Sequence, residues 1–306
     1  MKNFFFVILL VFGLHIESYC APQNIRFSLY AVKDYSKYSD GDPDDLDRSI
    51  KTKDRFFKEF YEAIQKKYPN IGMLIVHNKE NSDATANSFL TDDTDQSEFV
   101  LFVGHGNPLF LAFYDRGVAF NVGTKSFGRN TRWVIVDACK FLNVNKEKSD
   151  DPRKASTEID NNRKNALVSM FKGVHAILGS HSKMWQGTVP KHWYNTSEKW
   201  RSDDRYKYFA KYFITDGETL KDAYFSAVYK HYDNYVNNHA FGYDINASGF
   251  MSAIAYFYGE FADGTVWDMS KERFGTSYNA PMTSSTAKFS RTSIKIVYDK
   301  AGKPKY

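Results

Sequence analysis

The sequence predicts an α/β protein with a mostly parallel, six-stranded sheet and helices on both faces. Three observations support this fold class. Short apolar runs alternate with segments of helical periodicity, which is the order of elements that parallel sheets require. The apolar runs are continuous, as in strands that are buried on both sides. Hydrophobic residues make up 42% of the 306 residues, with 26 Phe and 21 Tyr, which is enough for a large core.

The first half of the domain is predicted to contain four strands and one helix. The helix is expected over residues 53–67, because Phe56, Phe60 and Ile64 fall on one face and Pro69 follows the end. The strands are expected over residues 25–32, 71–77, 99–103 and 133–136. The acidic stretch 34–47 and the polar stretch 78–97 are interpreted as loops.

The second half begins with a charged stretch over residues 146–162, which is interpreted as a surface loop and a candidate site of proteolytic processing. Apolar residues at helical spacing then predict three helices, and continuous apolar runs predict two strands. The helices are expected over residues 164–171, 203–213 and 218–232, and the strands over residues 173–179 and 250–258. A further strand candidate covers residues 293–298.

Charge and motifs exclude several classes of function. The net charge of +5 comes from 41 basic and 36 acidic residues that are mixed along the chain, so we expect no nucleic-acid partner. No metal-ligand motif, cysteine pair or glycine-rich phosphate loop occurs, and we therefore expect no metal and no cofactor. The aspartates of residues 40–45 lack the spacing of a calcium-binding loop, which favours a solvated loop.

Residues 1–20 have the pattern of a signal peptide. Lys2 precedes an apolar run over residues 4–14 that is too short to span a bilayer, and Ser18 and Cys20 place small residues before a cut at Ala21. An uncleaved anchor fits less well, because polar residues follow the run directly. We expect an exported protein, secreted or periplasmic, without membrane association after cleavage. Residues 21–306 are interpreted as one domain with a polar C-terminal extension from about residue 265.

Cleavage of that segment leaves Cys139 as the one cysteine of the mature chain, since Cys20 is removed with it. Exported proteins usually avoid a lone thiol or pair it. A buried, inert cysteine is the structural alternative. The position of Cys139 directly after a predicted buried strand, behind Asp137 and Ala138, favours a functional thiol.

His105 occupies the matching position after the preceding predicted strand, 34 residues before Cys139. Ligands of parallel sheets bind beyond the carboxyl ends of the strands, where both side chains are expected. A thiolate nucleophile and an imidazole that moves its protons form a catalytic dyad. The backbone N–H groups of Gly106 and Cys139 are the expected donors to a developing oxyanion.

These two segments resemble a known family of peptidases. FVLFVGHG at residues 99–106 and WVIVDAC at residues 133–139 are similar to the histidine and cysteine motifs of the caspase–hemoglobinase fold, which caspases, legumains, gingipains, clostripains and CHAT-type peptidases share. The spacing is more similar to the gingipain end of the family than to caspases. The resemblance implies that His105 and Cys139 are the catalytic residues and that polypeptides are the substrates.

The resemblance extends downstream. GVHAILGSHSKMW at residues 173–185 is similar to the strand that lines the primary specificity pocket, and residues 209–230 are similar to the paired helices of the bacterial members. We assign Ser180, His181, Ser182 and Trp185 to the rim of a substrate pocket, with a plain loop as the alternative for His181. The chain departs from the family at Lys140-Phe141, where many members carry small residues.

Other polar residues have structural alternatives. Asp137 either orients His105, shapes the pocket or caps the strand end, and Asp115 is a weaker candidate to orient the histidine. His175 is interpreted as a hydrogen-bonded core histidine and His77 as structural.

The sequence therefore favours an exported cysteine endopeptidase with a cysteine–histidine dyad. An inactive secreted protein that uses the same fold as a binding module is the alternative, and acyl transfer by the same dyad is a third hypothesis. Cleavage specificity and oligomeric state stay open.

Overall fold

The computed structural model describes residues 24–38, 46, 48–92, 94–120, 127, 131–146, 158–170, 174–180, 188–192, 195–238, 253–257, 269–275, 297–298 and 304–305. Their mixed α/β class is the predicted one. The strands are β1 Asn24–Ala31, β2 Gly72–Glu80, β3 Phe99–Val103, β4 Gly106–Asn107, β5 Phe110–Ala112, β6 Gly117–Ala119, β7 Trp133–Asp137, β8 Ala176–Ser180, β9 Thr188–His192, β10 Asn195–Arg201, β11 Ala253–Phe257, β12 Val297–Tyr298 and β13 Pro304–Lys305. The α-helices are α1 Ser49–Lys67, α2 Ala86–Thr91, α3 Asn161–Met170, α4 Asp204–Ala210 and α5 Leu220–Asn238.

The central sheet has the strand order β11-β8-β7-β3-β1-β2. Five of these strands run parallel, from β2 at one edge to β8, and β11 pairs antiparallel with β8. The central position of β3 and β7 accounts for their continuous apolar sequences, because both faces of such strands are covered. A separate three-stranded sheet, β4-β5-β6, is inserted between β3 and β7 in the chain.

Side-chain alternation along the strands divides the interior into two cores. On β3, Phe99, Leu101 and Val103 belong to the first core, and Val100 and Phe102 belong to the second. Helices α1, α4 and α5 pack on the first core. Helices α2 and α3 and the inserted sheet pack on the second. The same alternation decides into which core each residue at a strand end points.

Helix α1 begins four residues before the predicted start and ends where predicted. Phe56, Phe60 and Ile64 are fully buried in the first core, where Phe56 and Phe60 pack edge-on against the Phe99 ring. Burial of each such side chain contributes roughly 1.5–3 kcal/mol.

The prediction of a loop over residues 78–97 is wrong in part. Strand β2 continues to Glu80, and α2 then forms within the polar stretch. Thr85 caps α2 by accepting the N–H of Ser88, while the Ser88 hydroxyl accepts the N–H of Thr85. This reciprocal cap stabilises a helix whose short apolar pattern does not predict it.

The predicted helix over residues 203–213 changes form along its length. Helix α4 continues as a π-helical segment, Lys211–Asp216, which ends at Gly217 with φ +73°. This left-handed conformation favours glycine. The antiparallel pair β9–β10 follows β8 and was not predicted.

Residues 269–275 lie within the stretch predicted as a polar extension, and they pack into the first core. The buried Glu272 carboxylate accepts hydrogen bonds from Trp133 Nε1 at 2.9 Å and contacts His175 Nδ1 at 3.0 Å. The interpretation of His175 as a hydrogen-bonded core histidine is confirmed. This segment therefore ties the chain after β11 to the amino-terminal ends of β7 and β8.

Several predictions fall outside the described residues. These are the signal peptide, the aspartates of residues 40–45, residues 147–157 of the charged loop and most of the stretch after residue 275. Within the described ranges, no helix combines the length and apolarity that crossing a membrane requires.

Candidate active site

The register between β3 and β7 brings the two predicted catalytic residues to equivalent places. Val103 pairs with Asp137 at the ends of these adjacent parallel strands. His105 and Cys139 each follow the paired residue by two positions, so both lie just beyond the carboxyl edge of the sheet. This edge is where α/β sheets bind ligands.

Backbone hydrogen bonds fix the segments after the two strands against each other. The Gly104 N–H donates to the Asp137 carbonyl at 3.1 Å, and the Leu109 N–H donates to the Phe141 carbonyl at 2.9 Å. On the far side of β7, the Leu142 N–H donates to the Ser180 carbonyl at 3.1 Å. The loop that carries Cys139 is thus held between the ends of β3 and β8.

Gly106 packs closely against the segment that carries Cys139. A Cβ atom at this position would lie 2.8 Å from Ala138 Cβ and 3.1 Å from the Cys139 carbonyl oxygen. Gly106 pairs with Leu111, and the Ala112 N–H donates to the His105 carbonyl at 3.1 Å. This pattern makes Gly106 and Leu111 a non-hydrogen-bonded pair, in which the Gly106 N–H points away from β5.

The Gly106→Ala variant is expected to lower the free energy of unfolding by about 1–3 kcal/mol, because the added methyl group overlaps backbone and Cβ atoms. Denaturant titration measures this change. Gly117→Ala in β6 is the matched control. The atoms that its added methyl group would meet belong to the end of the Phe110 side chain, which can rotate away. Equal stability of the two variants would contradict the tight packing described for Gly106.

The loop after β7 contains Lys140 and Phe141, the two residues that differ from the motif that the sequence resembles. Lys140 adopts φ +54°, a left-handed conformation that turns the chain sharply after Cys139. Non-glycine residues in such conformations cost of order 1–3 kcal/mol and are frequent at functional sites. Phe141 is fully buried and packs edge-on against Phe120 at 5.6 Å between ring centroids. Cys139 itself is partly exposed.

His105 lies against Tyr35, a residue that follows β1. The His105 N–H donates to the Tyr35 hydroxyl oxygen at 2.8 Å, and the two ring centroids are 4.7 Å apart. Asp115, the weaker candidate to orient the histidine, accepts the Ala86 N–H at 2.7 Å at the start of α2. That bond gives Asp115 a role in helix capping.

The Asp137 side chain points into the first core, as the alternation along β7 requires, and is 1% exposed. Its carboxylate forms an ion pair with Arg205 and accepts the Tyr206 hydroxyl at 2.8 Å, both from α4. Burial is the largest single influence on the Arg205 pKa and lowers it, but the Asp137 carboxylate, Tyr206 and Tyr224 together hold that pKa above its ordinary value. Burial, followed by the same carboxylate, raises the pKa of Tyr206. These contacts support the structural interpretation of Asp137.

The pocket residues predicted after β8 are described only in part. Ser180 ends β8 beside the cysteine loop and is buried. His181, Ser182 and Trp185 lie outside the described residues. His77 lies at the sheet edge in β2, with Nδ1 3.7 Å from Asp92 Oδ2. No cluster of three or more possible metal ligands occurs in the ranges that the structure describes.

Sequence analysis missed two side chains that contact predicted site residues, Arg205 and Tyr35. One sequence feature could have identified Arg205. It shares the apolar face of α4 with Phe209, and a charged side chain on such a face requires a buried partner. No local sequence feature identifies Tyr35, since its partner His105 lies 70 residues further along the chain.

Comparison with known proteins gave similarities to solved structures and one family match. The chain resembles the crystal structure of the Arg-specific cysteine proteinase gingipain R with 12% sequence identity and a TM-score of 0.42. The alignment covers 70% of this chain and 42% of that one, so the chain spans less than half the length of the gingipain structure.

No curated protein matches the sequence. A family match covers residues 31–278, which include β3, β7 and the site between them. The chain belongs to the family described as Domain of unknown function (DUF6345).

Proposed function

We propose that this protein is a cysteine endopeptidase in which Cys139 is the nucleophile and His105 the acid–base group. The observation that carries the proposal is the β3–β7 register, which places both residues two positions beyond paired strand ends. The contact of Gly106 with Ala138 and Cys139 supports it, because the histidine and cysteine segments touch. The six-stranded caspase–hemoglobinase architecture implied by the sequence motifs belongs to the same proposal.

In the proposed reaction, His105 takes the thiol proton and the Cys139 thiolate attacks the carbonyl carbon of the scissile peptide bond. The carbonyl oxygen becomes an oxyanion that accepts hydrogen bonds from the N–H groups of Gly106 and Cys139. His105 returns its proton to the leaving amine, which leaves an acyl group on sulfur as a thioester. Water, deprotonated by His105, hydrolyses the thioester and restores the thiol.

The partial exposure of Cys139 fits a thiol that a polypeptide reaches from solvent. The left-handed turn at Lys140 fits a nucleophile presented on a sharp bend directly after a strand. Export to an extracytoplasmic compartment is part of the proposal, because removal of Cys20 with the signal peptide would leave Cys139 as the one cysteine of the mature chain.

A peptide-library digestion tests the proposal. Full-length wild-type protein is expected to cleave library peptides after a restricted set of residues, and Cys139→Ala is expected to cleave none. Mass spectrometry of the products identifies the bonds that are cut. Iodoacetamide labelling of the same preparations, with the labelled peptide identified by mass spectrometry, reports whether the Cys139 thiol reacts as distinct from Cys20.

The other hypotheses give different results in this experiment. An unreactive thiol and an identical, empty cleavage profile for wild type and Cys139→Ala would support the binding module instead. Products that carry an added amine, such as hydroxylamine or a glycine peptide, in place of a free carboxylate would support acyl transfer.

A further inference from the structure

We infer that Tyr35 is the positioning residue for His105, and this inference rests on the proposed function. Tyr35 lies four residues after the end of β1 and is 1% exposed. The backbone just after β1 is held beside β3, because the Val32 N–H donates to the Val103 carbonyl at 3.0 Å. The Tyr35 side chain is thereby directed to the segment that follows β3.

One hydroxyl group connects Tyr35 to two points of that segment. The Tyr35 oxygen accepts the His105 N–H at 2.8 Å and donates to the Ala112 carbonyl at 3.3 Å. A phenol hydroxyl has one proton and can also accept, so both bonds form together. The Ala112 N–H in turn donates to the His105 carbonyl at 3.1 Å. Both backbone polar groups of His105 are thus fixed, one by Tyr35 and one by β5.

The aromatic ring of Tyr35 constrains the imidazole as well. The two rings are 4.7 Å apart at an interplanar angle of 61°, an edge-to-face contact. Gly104 leaves room for the hydroxyl, since a Cβ atom there would lie 2.6 Å from the Tyr35 oxygen. Tyr35 therefore fixes the peptide of His105 and restricts the rotation of its side chain.

The expected role follows from the proposed chemistry. A thiolate is stabilised beside an imidazolium, and this pairing requires a fixed distance and orientation. Loss of the Tyr35 hydroxyl would leave the His105 N–H and the buried Ala112 carbonyl without this partner, and the His105 peptide is expected to shift. The dyad would then lose the geometry in which, under the proposed chemistry, His105 takes the proton of the Cys139 thiol.

The test compares Tyr35→Phe with Tyr38→Phe in the full chain. The Tyr38 hydroxyl donates to the Phe113 carbonyl at 2.7 Å and its ring packs on Tyr35 at 5.7 Å, so the control removes a similar bond to the same inserted sheet. The rate of Cys139 alkylation by iodoacetamide is measured from pH 4 to 10, and it reports thiolate formation without any substrate.

For Tyr35→Phe, the midpoint of the pH profile is expected to rise by about one unit or more toward the ordinary thiol value near 8.5. Peptide cleavage is expected to fall about 10- to 100-fold in kcat with a smaller change in KM. Tyr38→Phe is expected to keep the wild-type profile. A role in stability alone would move the melting temperature and leave the profile of the folded protein unchanged.

A Tyr35→Phe profile identical to wild type would overturn the inference if His105→Ala shifts the midpoint. If His105→Ala also leaves the profile unchanged, the dyad itself is refuted, and the inference falls with the proposed function. The Gly104→Ala variant places a methyl group against the Tyr35 hydroxyl and is expected to displace it. This variant is used in place of Tyr35→Phe if Tyr35→Phe does not fold.

Discussion

The His105→Ala variant is expected to lower kcat/KM for peptide cleavage by about 10²- to 10⁴-fold, the range that positioned acid–base groups contribute. The reason is that His105 both activates the Cys139 thiol and protonates the leaving amine in the proposed reaction. Residues that act as a unit are not additive. The double variant with Cys139→Ala should therefore be no less active than Cys139→Ala alone.

His77→Ala is the matched control, because His77 lies on the edge strand β2 and contacts Asp92. It is expected to retain wild-type kcat/KM. Steady-state kinetics on one peptide identified from the library measure the wild type and all four variants. A loss of activity below tenfold in His105→Ala would contradict the dyad, as would an equal loss in His77→Ala.

Breaking the buried ion pair is expected to give the largest change in stability. The Arg205→Met variant leaves the Asp137 carboxylate buried without its guanidinium, and the free energy of unfolding is expected to fall by about 3–5 kcal/mol. Tyr206 still donates to the carboxylate, but one neutral donor does not replace the lost charge. Guanidinium chloride unfolding, followed by circular dichroism, measures the change.

Two further variants show whether the cost comes from the unpaired charge. Arg201→Met removes a half-exposed arginine that pairs with Asp204, and it is expected to cost about 0–1 kcal/mol. The double variant Asp137→Leu/Arg205→Met removes both buried charges and is expected to recover most of the lost stability. A double variant that is less stable than Arg205→Met would show that the ion pair itself, with its hydrogen bonds, contributes most.

The parts of the fold that sequence reasoning predicted best are those in which one local pattern decides the structure. Both ends of strand β3 are predicted to the residue, and those of β7 to within one residue. A short, continuous apolar run between polar segments is compatible with few structures other than a buried strand. The positions of His105 and Cys139 beyond these strands follow directly. Helix α1 is similarly decided by its spaced phenylalanines.

The parts that were missed depend on partners that are distant in sequence or on short polar contacts. Asp137 received three interpretations, because its partners Arg205 and Tyr206 lie 68 and 69 residues away on α4. Tyr35 lies in a stretch that reads only as an acidic loop. Helix α2 depends on a cap formed by Thr85 and Ser88 rather than on apolar periodicity.

The register of β3 against β7 links the catalytic chemistry to the fidelity of folding. A slip of one residue between these strands would displace His105 from Cys139 by about 3.3 Å along the strand and would also turn the apolar side chains to the wrong core. Such a molecule would lose its core and its dyad together. Under the proposed chemistry, active-site titration of Cys139 would therefore count the correctly folded molecules in a preparation, and a refolding yield could be read from it directly.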